Sequence, residues 1–151
     1  MIVHLLSISD KPQSWIQEGI NEYKKRLQQD CILQQSFIKP IKINNKTPSQ
    51  QSKIILSEIK KDSILIATDE RGKKISSIDY ANILKQYIEN HQNITIIVGA
   101  SDGLPESIKN KASQVWSLSN MTYPHKIAQL IIAEQTYRAW SIIKNHPYHR
   151  S

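Results

Sequence analysis

Asn93-Ile94-Thr95-Ile96-Ile97-Val98-Gly99-Ala100-Ser101-Asp102-Gly103 is the stretch on which the fold turns. Asn93 to Val98 is uncharged, almost continuously apolar and rich in β-branched residues. Such a run suits a strand covered on both faces, the situation of a parallel sheet rather than of a half-solvated hairpin. It breaks into a loop of small residues bounded by two glycines. That composition lets the backbone crowd a ligand and offers free N–H groups to it. In open α/β sheets the crevice beyond the carboxyl ends of the strands is where ligands bind.

Working outward, the same alternation recurs. Ile2–Ile8, Cys31–Ile38, Ser63–Thr68 and Val115–Leu118 read as further strands. Between them lie amphipathic stretches. Trp15, Ile16, Ile20, Tyr23 and Leu27 mark one face of a helix over 12–29, with Pro12 expected in its first turn. Thr47-Pro48-Ser49-Gln50 carries a capping box and opens a helix to about Lys61. Asp69-Glu70-Arg71-Gly72 reads as a turn, Ser76-Ser77-Ile78-Asp79 as a helix start and Pro105 as the start of a short helix. His125 to Ile143 reads as a long final helix. Strands alternating with helices predict an α/β fold with a mainly parallel sheet, in one domain spanning 1–151.

The last helix is apolar around most of its circumference, through Ile127, Leu130, Ile131, Ile132, Ala133, Tyr137, Trp140, Ile142 and Ile143. A helix of that kind is buried nearly all round. Either it packs on the sheet and on a second copy of the chain, which makes a homodimer, or it is internal to a monomer.

Composition narrows the function. The chain has 151 residues and a formal net charge of +7, which suits a polyanionic partner such as nucleic acid and equally suits plain solubility. One cysteine, Cys31, rules out an internal disulfide and argues against a cysteine-based zinc site. No apolar run approaches the ~20 residues of a membrane span, and the first residues have no basic leader, so the expected location is cytoplasmic. With only four glycines, the chain lacks both the Gly-x-Gly-x-x-Gly of dinucleotide-binding folds and the Walker A loop. Any nucleotide-like ligand must sit on other loops.

The strand ends Thr68-Asp69, Val98-Gly99 and Leu118-Ser119 are the candidates. Ser119-Asn120-Met121-Thr122-Tyr123-Pro124 mixes hydroxyls, an amide, a thioether and an aromatic, a set able to cradle an adenosine. The tail Asn145-His146-Pro147-Tyr148-His149-Arg150 concentrates imidazole, phenol and guanidinium in six residues. Aromatics beside arginine suit unstacked RNA bases and phosphates. The two tail histidines have no carboxylate or cysteine nearby in sequence, so no metal is expected. Glu134 and Arg138, four apart, read as an ordinary helical ion pair. The basic loop Lys39–Lys46 is a candidate mobile surface loop.

Taken together, Ile97-Val98-Gly99-x-x-x-Gly103, Trp116-Ser117-Leu118-Ser119, Met121-Thr122-Tyr123-Pro124-His125, Glu134-Gln135-x-Tyr137-Arg138-Ala139 and Asn145-His146-Pro147-Tyr148-His149-Arg150 resemble the ribosomal RNA large-subunit methyltransferase H (RlmH) family of the SPOUT superfamily. The resemblance runs over essentially the whole chain. It implies a SPOUT-type α/β fold, a mainly parallel sheet with helices on both faces and a C-terminal deep trefoil knot. It implies S-adenosyl-L-methionine as cofactor, a homodimer with the active site at the subunit interface, and methylation of N3 of a pseudouridine in 23S rRNA of the assembled 70S ribosome, without metal or membrane. By analogy the cofactor would lie against Thr68, Gly99 and the loop Leu118, Ser119, Asn120, Met121, Thr122 and Tyr123. Arg138, Tyr148, His149 and Arg150 would face the RNA or the methyl-transfer centre. His149 is the expected base because histidine suits proton transfer near neutral pH; Arg138 and Arg150 would stabilise the deprotonated ring or hold phosphate. Two positions depart from the family: Ala100 replaces a second loop glycine, and Gln129 replaces an arginine, which implies a lost phosphate contact. The competing readings are a non-catalytic ribosome- or RNA-binding module and a SPOUT methyltransferase acting on transfer RNA.

Overall fold

The computed structural model describes residues 1–27, 30–40 and 47–150. Five strands, β1 (Ile2–Ser7), β2 (Ile32–Phe37), β3 (Ser63–Lys74), β4 (Asn93–Val98) and β5 (Gln114–Ser117), form one sheet in the order β2-β1-β4-β3-β5. Every pairing is parallel, as the unbroken apolar run of β4 requires. Among the described residues five helices accompany them: α1 (Ser14–Arg26), α2 (Pro48–Glu58), α3 (Ser77–Glu89), α4 (Glu106–Lys111) and α5 (His125–Ile143). The expected basic loop lies mostly outside the described residues.

Side chains of successive strand residues divide between two cores, because a strand alternates faces. Val3, Leu5, Ile94, Ile96, Val98 and Ile66 join one cluster with residues of α1, α3 and α5. Leu6, Ile8, Ile97, Leu65 and Ala67 join the other with Ile55 of α2 and Ile108 of α4. Helices therefore cover both faces, as expected.

The helix starts follow local chemistry. Thr47 and Gln50 close a reciprocal capping box at α2, and Ser76 and Asp79 do the same at α3. At α1 the expectation shifts: Gln13 is the N-cap and makes no side-chain bond, so Pro12 precedes the helix instead of sitting in its first turn. Pro105 likewise caps α4 from outside.

The largest departure is β3. The sequence reads as a strand ending at Thr68 and a turn at Asp69–Gly72, yet the strand continues to Lys74. Trp116 pairs with both Thr68 and Lys73, so the residues between them form an irregularity within one strand. Gly72 makes this feasible. A Cβ there would lie 2.7 Å from the Trp116 carbonyl carbon and 2.7 Å from the Val115 carbonyl oxygen, and backbone atoms cannot yield to it.

One polar chain crosses the second core. Ser36 Oγ lies 2.8 Å from His4 Nε2, the Thr95 hydroxyl 3.5 Å from His4 Nδ1, and Ser63 Oγ 2.8 Å from Thr95 Oγ1. Burial of His4 and the Lys60 ammonium hold the imidazole below its ordinary value, against a weaker pull from Glu58. Protonation is therefore easier in the unfolded chain. The His4 contribution to stability is complete above about pH 6.5, the ordinary value, and drains as pH falls below it toward the lowered folded value. Denaturant unfolding between pH 7 and pH 5 should show this loss, and His4→Gln should flatten that slope. An unchanged slope in the variant would contradict the assignment.

Candidate active site

The three strand ends picked from the sequence meet around one cavity of about 760 Å³, within the ~300–1,000 Å³ usual for a small-molecule site. Its walls are the irregular middle of β3 (Thr68 to Arg71), the loop after β4 (Val98 to Leu104) and the loop after β5 (Leu118, Ser119, Met121 to Pro124). Trp116, Ser117, Lys109, His125 and Ala128 complete it. Of the expected cofactor residues, Thr68, Gly99, Leu118, Ser119, Met121, Thr122 and Tyr123 line the cavity; Asn120 does not. Asp69, named at its strand end, also lines it, as do Asp102 and Lys109, for which the sequence signals no role.

Each loop is fixed locally. The Thr68 hydroxyl donates to the Ile97 carbonyl at 2.9 Å, tying β3 to β4 at the cavity floor. Gly103 N–H closes a turn onto the Ala100 carbonyl at 2.9 Å, with Gly103 at φ +78°. Ala100 is outside the left-handed region, so its methyl costs the loop nothing. A Cβ on Gly99 would lie 3.0 Å from Gly103 and 3.1 Å from the Leu104 side chain, so glycine lets this turn fold back tightly. In the third loop Ser119 Oγ accepts the Met121 N–H at 2.9 Å, while Ser117 Oγ donates to the Ser119 carbonyl at 3.1 Å.

An ion pair crosses between two of these walls. Lys109 on α4 donates to Asp69 Oδ2 at 3.1 Å and contacts Glu106 at 3.1 Å. The Arg71 N–H, with Lys109 beside it, holds the Asp69 carboxyl below the usual carboxylate range despite its partial burial. The cavity thus has an apolar wall (Trp116, Leu118, Met121, Tyr123, Ala128) and one fixed charged rim.

The expected catalytic residues form a second, separate cluster. After α5 the chain reverses at Asn145, φ +55°, with His146 N–H bonding the Ser141 carbonyl and Asn145 N–H the Ile142 carbonyl. These are the two bonds of a Schellman motif, and they turn the tail back over the helix. There the Tyr148 hydroxyl donates to Glu134 Oε1 at 3.0 Å. Arg138 donates to the same oxygen at 2.9 Å from Nε and 2.6 Å from NH2. Arg138 NH1 lies 3.2 Å from His149 Nδ1, and the guanidinium sits over the Tyr148 ring at 4.8 Å. Burial, then Tyr23 and the Glu134 carboxylate, push the Tyr148 phenol upward. Arg138, Tyr148 and His149 are thus brought together. Arg150 is exposed and outside the cluster. Glu134, read from the sequence as a plain ion-pair partner, is the hub.

None of these tail residues lines the cavity. Ala128 marks the cavity end of α5 and Arg138 the tail end. Ten residues of helix put them about 15 Å apart along the axis.

The expectation about Gln129 needs correction. Gln129 is fully buried, and its Nε2 donates to Ser9 Oγ at 2.9 Å. It pins α5 to the segment after β1 and is not at an RNA-facing surface. Ser7 Oγ and Gln129 Oε1 are buried and have no hydrogen-bond partner among the described residues.

The family model described as "Predicted SPOUT methyltransferase" matches residues 1–149. The chain belongs to the SPOUT methyltransferase family. It is 36% identical over 156 residues to "Ribosomal RNA large subunit methyltransferase H" of Hydrogenovibrio crunogenus, covering 99% of both chains. With the protein of that name from Francisella philomiragia the identity is 38%, covering 99% of this chain and 100% of the relative. Within the SPOUT family the chain groups with these proteins, and it is a methyltransferase. Solved structures show the same fold. A probable methylase family protein from Haemophilus influenzae superimposes with a TM-score of 0.59 at 14% identity, covering 95% of this chain and 66% of that one. A putative methylase family protein from Neisseria gonorrhoeae gives 0.57 at 12% identity, covering 99% and 86%.

Gln129→Met should change stability by less than ~1 kcal/mol, because the lost bond to Ser9 is offset by removal of an unpaired buried carbonyl. RNA affinity should not change. A drop of about tenfold, ~1.4 kcal/mol, in a folded variant would place Gln129 back in the RNA site.

Proposed function

We propose that this chain is an S-adenosyl-L-methionine-dependent methyltransferase acting on N3 of a pseudouridine in 23S rRNA of the assembled 70S ribosome, as a homodimer in the cytoplasm. The observation that carries the reading is the cavity at the three strand ends, in a chain alike over its full length to proteins named for ribosomal RNA methylation. A bare RNA-binding module has no use for such a cavity.

The cavity residues fit the cofactor. Trp116, Leu118, Met121 and Tyr123 offer an apolar and aromatic wall for an adenine and a thioether, and the tight Gly99–Gly103 turn keeps side-chain bulk off its approach. Asp69 and Lys109 offer opposite charges at the rim for an amino-acid end. When bound, S-adenosylmethionine supplies an electrophilic methyl group on a sulfonium. The trefoil knot implied by the family resemblance goes with this reading. Direct displacement needs alignment more than acid–base machinery, so the three loops do their work by holding geometry.

The separation of the two clusters supports homodimerisation. Within one chain the tail lies a helix-length from the cavity. Two copies with antiparallel α5 helices bring the Arg138 end of one to the Ala128 end of the other. The outer stripe of α5 suits such a contact: Ile131 is half-buried yet belongs to neither core, and Trp15 on neighbouring α1 is 60% exposed.

The test is transfer of labelled methyl to 70S ribosomes lacking the modification, with free 23S rRNA and deacylated transfer RNA alongside. Label at N3 of a pseudouridine in 23S rRNA of intact ribosomes is the expected result. Label in transfer RNA alone would replace the substrate, and no label despite cofactor binding would overturn the proposed target.

A further inference from the structure

We propose that Glu134 is a positioning residue that, through Arg138, presents the His149 imidazole as an N–H donor rather than as a proton-accepting base. The inference rests on the methyltransferase reading above for its chemical meaning and on the tail geometry for its content.

A guanidinium has five N–H groups and no acceptor. The 3.2 Å contact between Arg138 NH1 and His149 Nδ1 therefore has one polarity: Arg138 donates and Nδ1 accepts. A neutral imidazole whose Nδ1 accepts carries its proton on Nε2. Its only free lone pair is the one already engaged. To take a proton His149 would have to break from Arg138 and present a second donor to a fixed cation. As arranged, it offers Nε2–H.

The arrangement is held from behind. Glu134 Oε1 accepts Arg138 through two of its nitrogens, and Oε2 accepts the Gln135 side-chain amide at 2.7 Å. Tyr148 anchors the tail to the same carboxylate, with its ring against Tyr137 at 4.6 Å between centroids. From α1, Tyr23 brings its hydroxyl to 3.5 Å from that of Tyr148, beyond an ordinary O–H···O bond, and Arg26 sits over the Tyr23 and Tyr137 rings. A carboxylate holding a guanidinium that in turn fixes an imidazole tautomer is the logic by which outer partners orient functional histidines.

In the reaction, Nε2–H would donate to a carbonyl oxygen flanking N3, where negative charge gathers when N3 loses its proton. The N3 proton passes to water, the N3–methyl bond forms, and the pair from the broken sulfur–carbon bond stays on sulfur.

Two measurements on the full-length protein test this. The first is independent of activity: imidazole carbon and nitrogen NMR, with His149 assigned by its loss in His149→Gln. The expected wild-type form is the Nε2–H tautomer; Arg138→Met, which removes the donor, should give a mixture. An Nδ1–H ring in the wild type would overturn the proposal even if the protein transfers no methyl at all. The second applies once wild-type methyl transfer is established. Glu134→Gln should lower kcat about 10–100-fold, the usual cost of losing such an outer partner, with KM for S-adenosylmethionine unchanged. His149→Gln, which supplies an N–H but cannot act as a base, should keep turnover within about tenfold of wild type, whereas His149→Phe should lose far more. If His149→Gln falls as far as His149→Phe, the base assignment stands instead.

Discussion

Helix α5 is pinned along its length by three polar bonds, two of them buried, to three different parts of the chain, and the site depends on that pinning. Near its start, Gln129 bonds Ser9 beyond β1. In the middle, Thr136 meets the Tyr80 hydroxyl of α3 at 2.8 Å. Near its end, Trp140 Nε1 donates to Asp30 at 3.1 Å. Small residues, Ala128, Ala133 and Ala139, are buried between these points and let the helix lie close to its neighbours. A buried polar bond is worth little net but costs much when one partner is left unpaired, so the three together specify one position of the helix more than they add to stability. That position sets the loop from Leu118 to Pro124 over the strand ends. It also fixes where Asn145 turns the tail back.

The two clusters divide the chemistry by kind. The cavity is shaped by backbone, small residues and apolar walls, with one ion pair between Asp69 and Lys109 tying β3 to α4. The tail is built from side chains whose hydrogen bonds converge on one carboxylate. The first arrangement suits holding a cofactor against the ends of a rigid sheet. The second suits a substrate that brings charge and a planar ring. About ten residues of helix, ~15 Å, separate them, and in the proposed dimer a second copy closes that distance.

Much of this was legible in the residues. The continuous apolar strands, the capping box at Thr47, the helix start at Ser76 and the glycines at 99 and 103 each state a local physical requirement, and the structure meets it. What was illegible depends on partners distant in sequence. Asp69–Gly72 has the composition of a turn, and only the pairing of Lys73 and Lys74 with β5 makes it part of a strand. Gln129, expected to mark a lost phosphate contact, instead makes a buried bond to Ser9, a partner that nothing local in the sequence reveals. Glu134 and Arg138 look like any i, i+4 pair, since Tyr148 and His149 reach them only through the Schellman turn. That turn had a signal, Asn145 followed two residues on by Pro147 at the end of a long helix, which marks a stop rather than a frayed tail.

The composite site is the central claim, and mixed dimers test it most directly. One variant carries a blocked cavity, Thr122→Trp; the other lacks the tail clamp, Tyr148→Ala with His149→Ala. Each alone should fold, dimerise and transfer no methyl to ribosomes. Co-refolded, they should regain activity, because one of the two sites in a mixed dimer pairs an intact cavity with an intact tail from the other copy. Inactivity of mixed dimers shown to have formed would mean that cavity and tail act within one chain, and the account of α5 as the bridge between two copies would be contradicted.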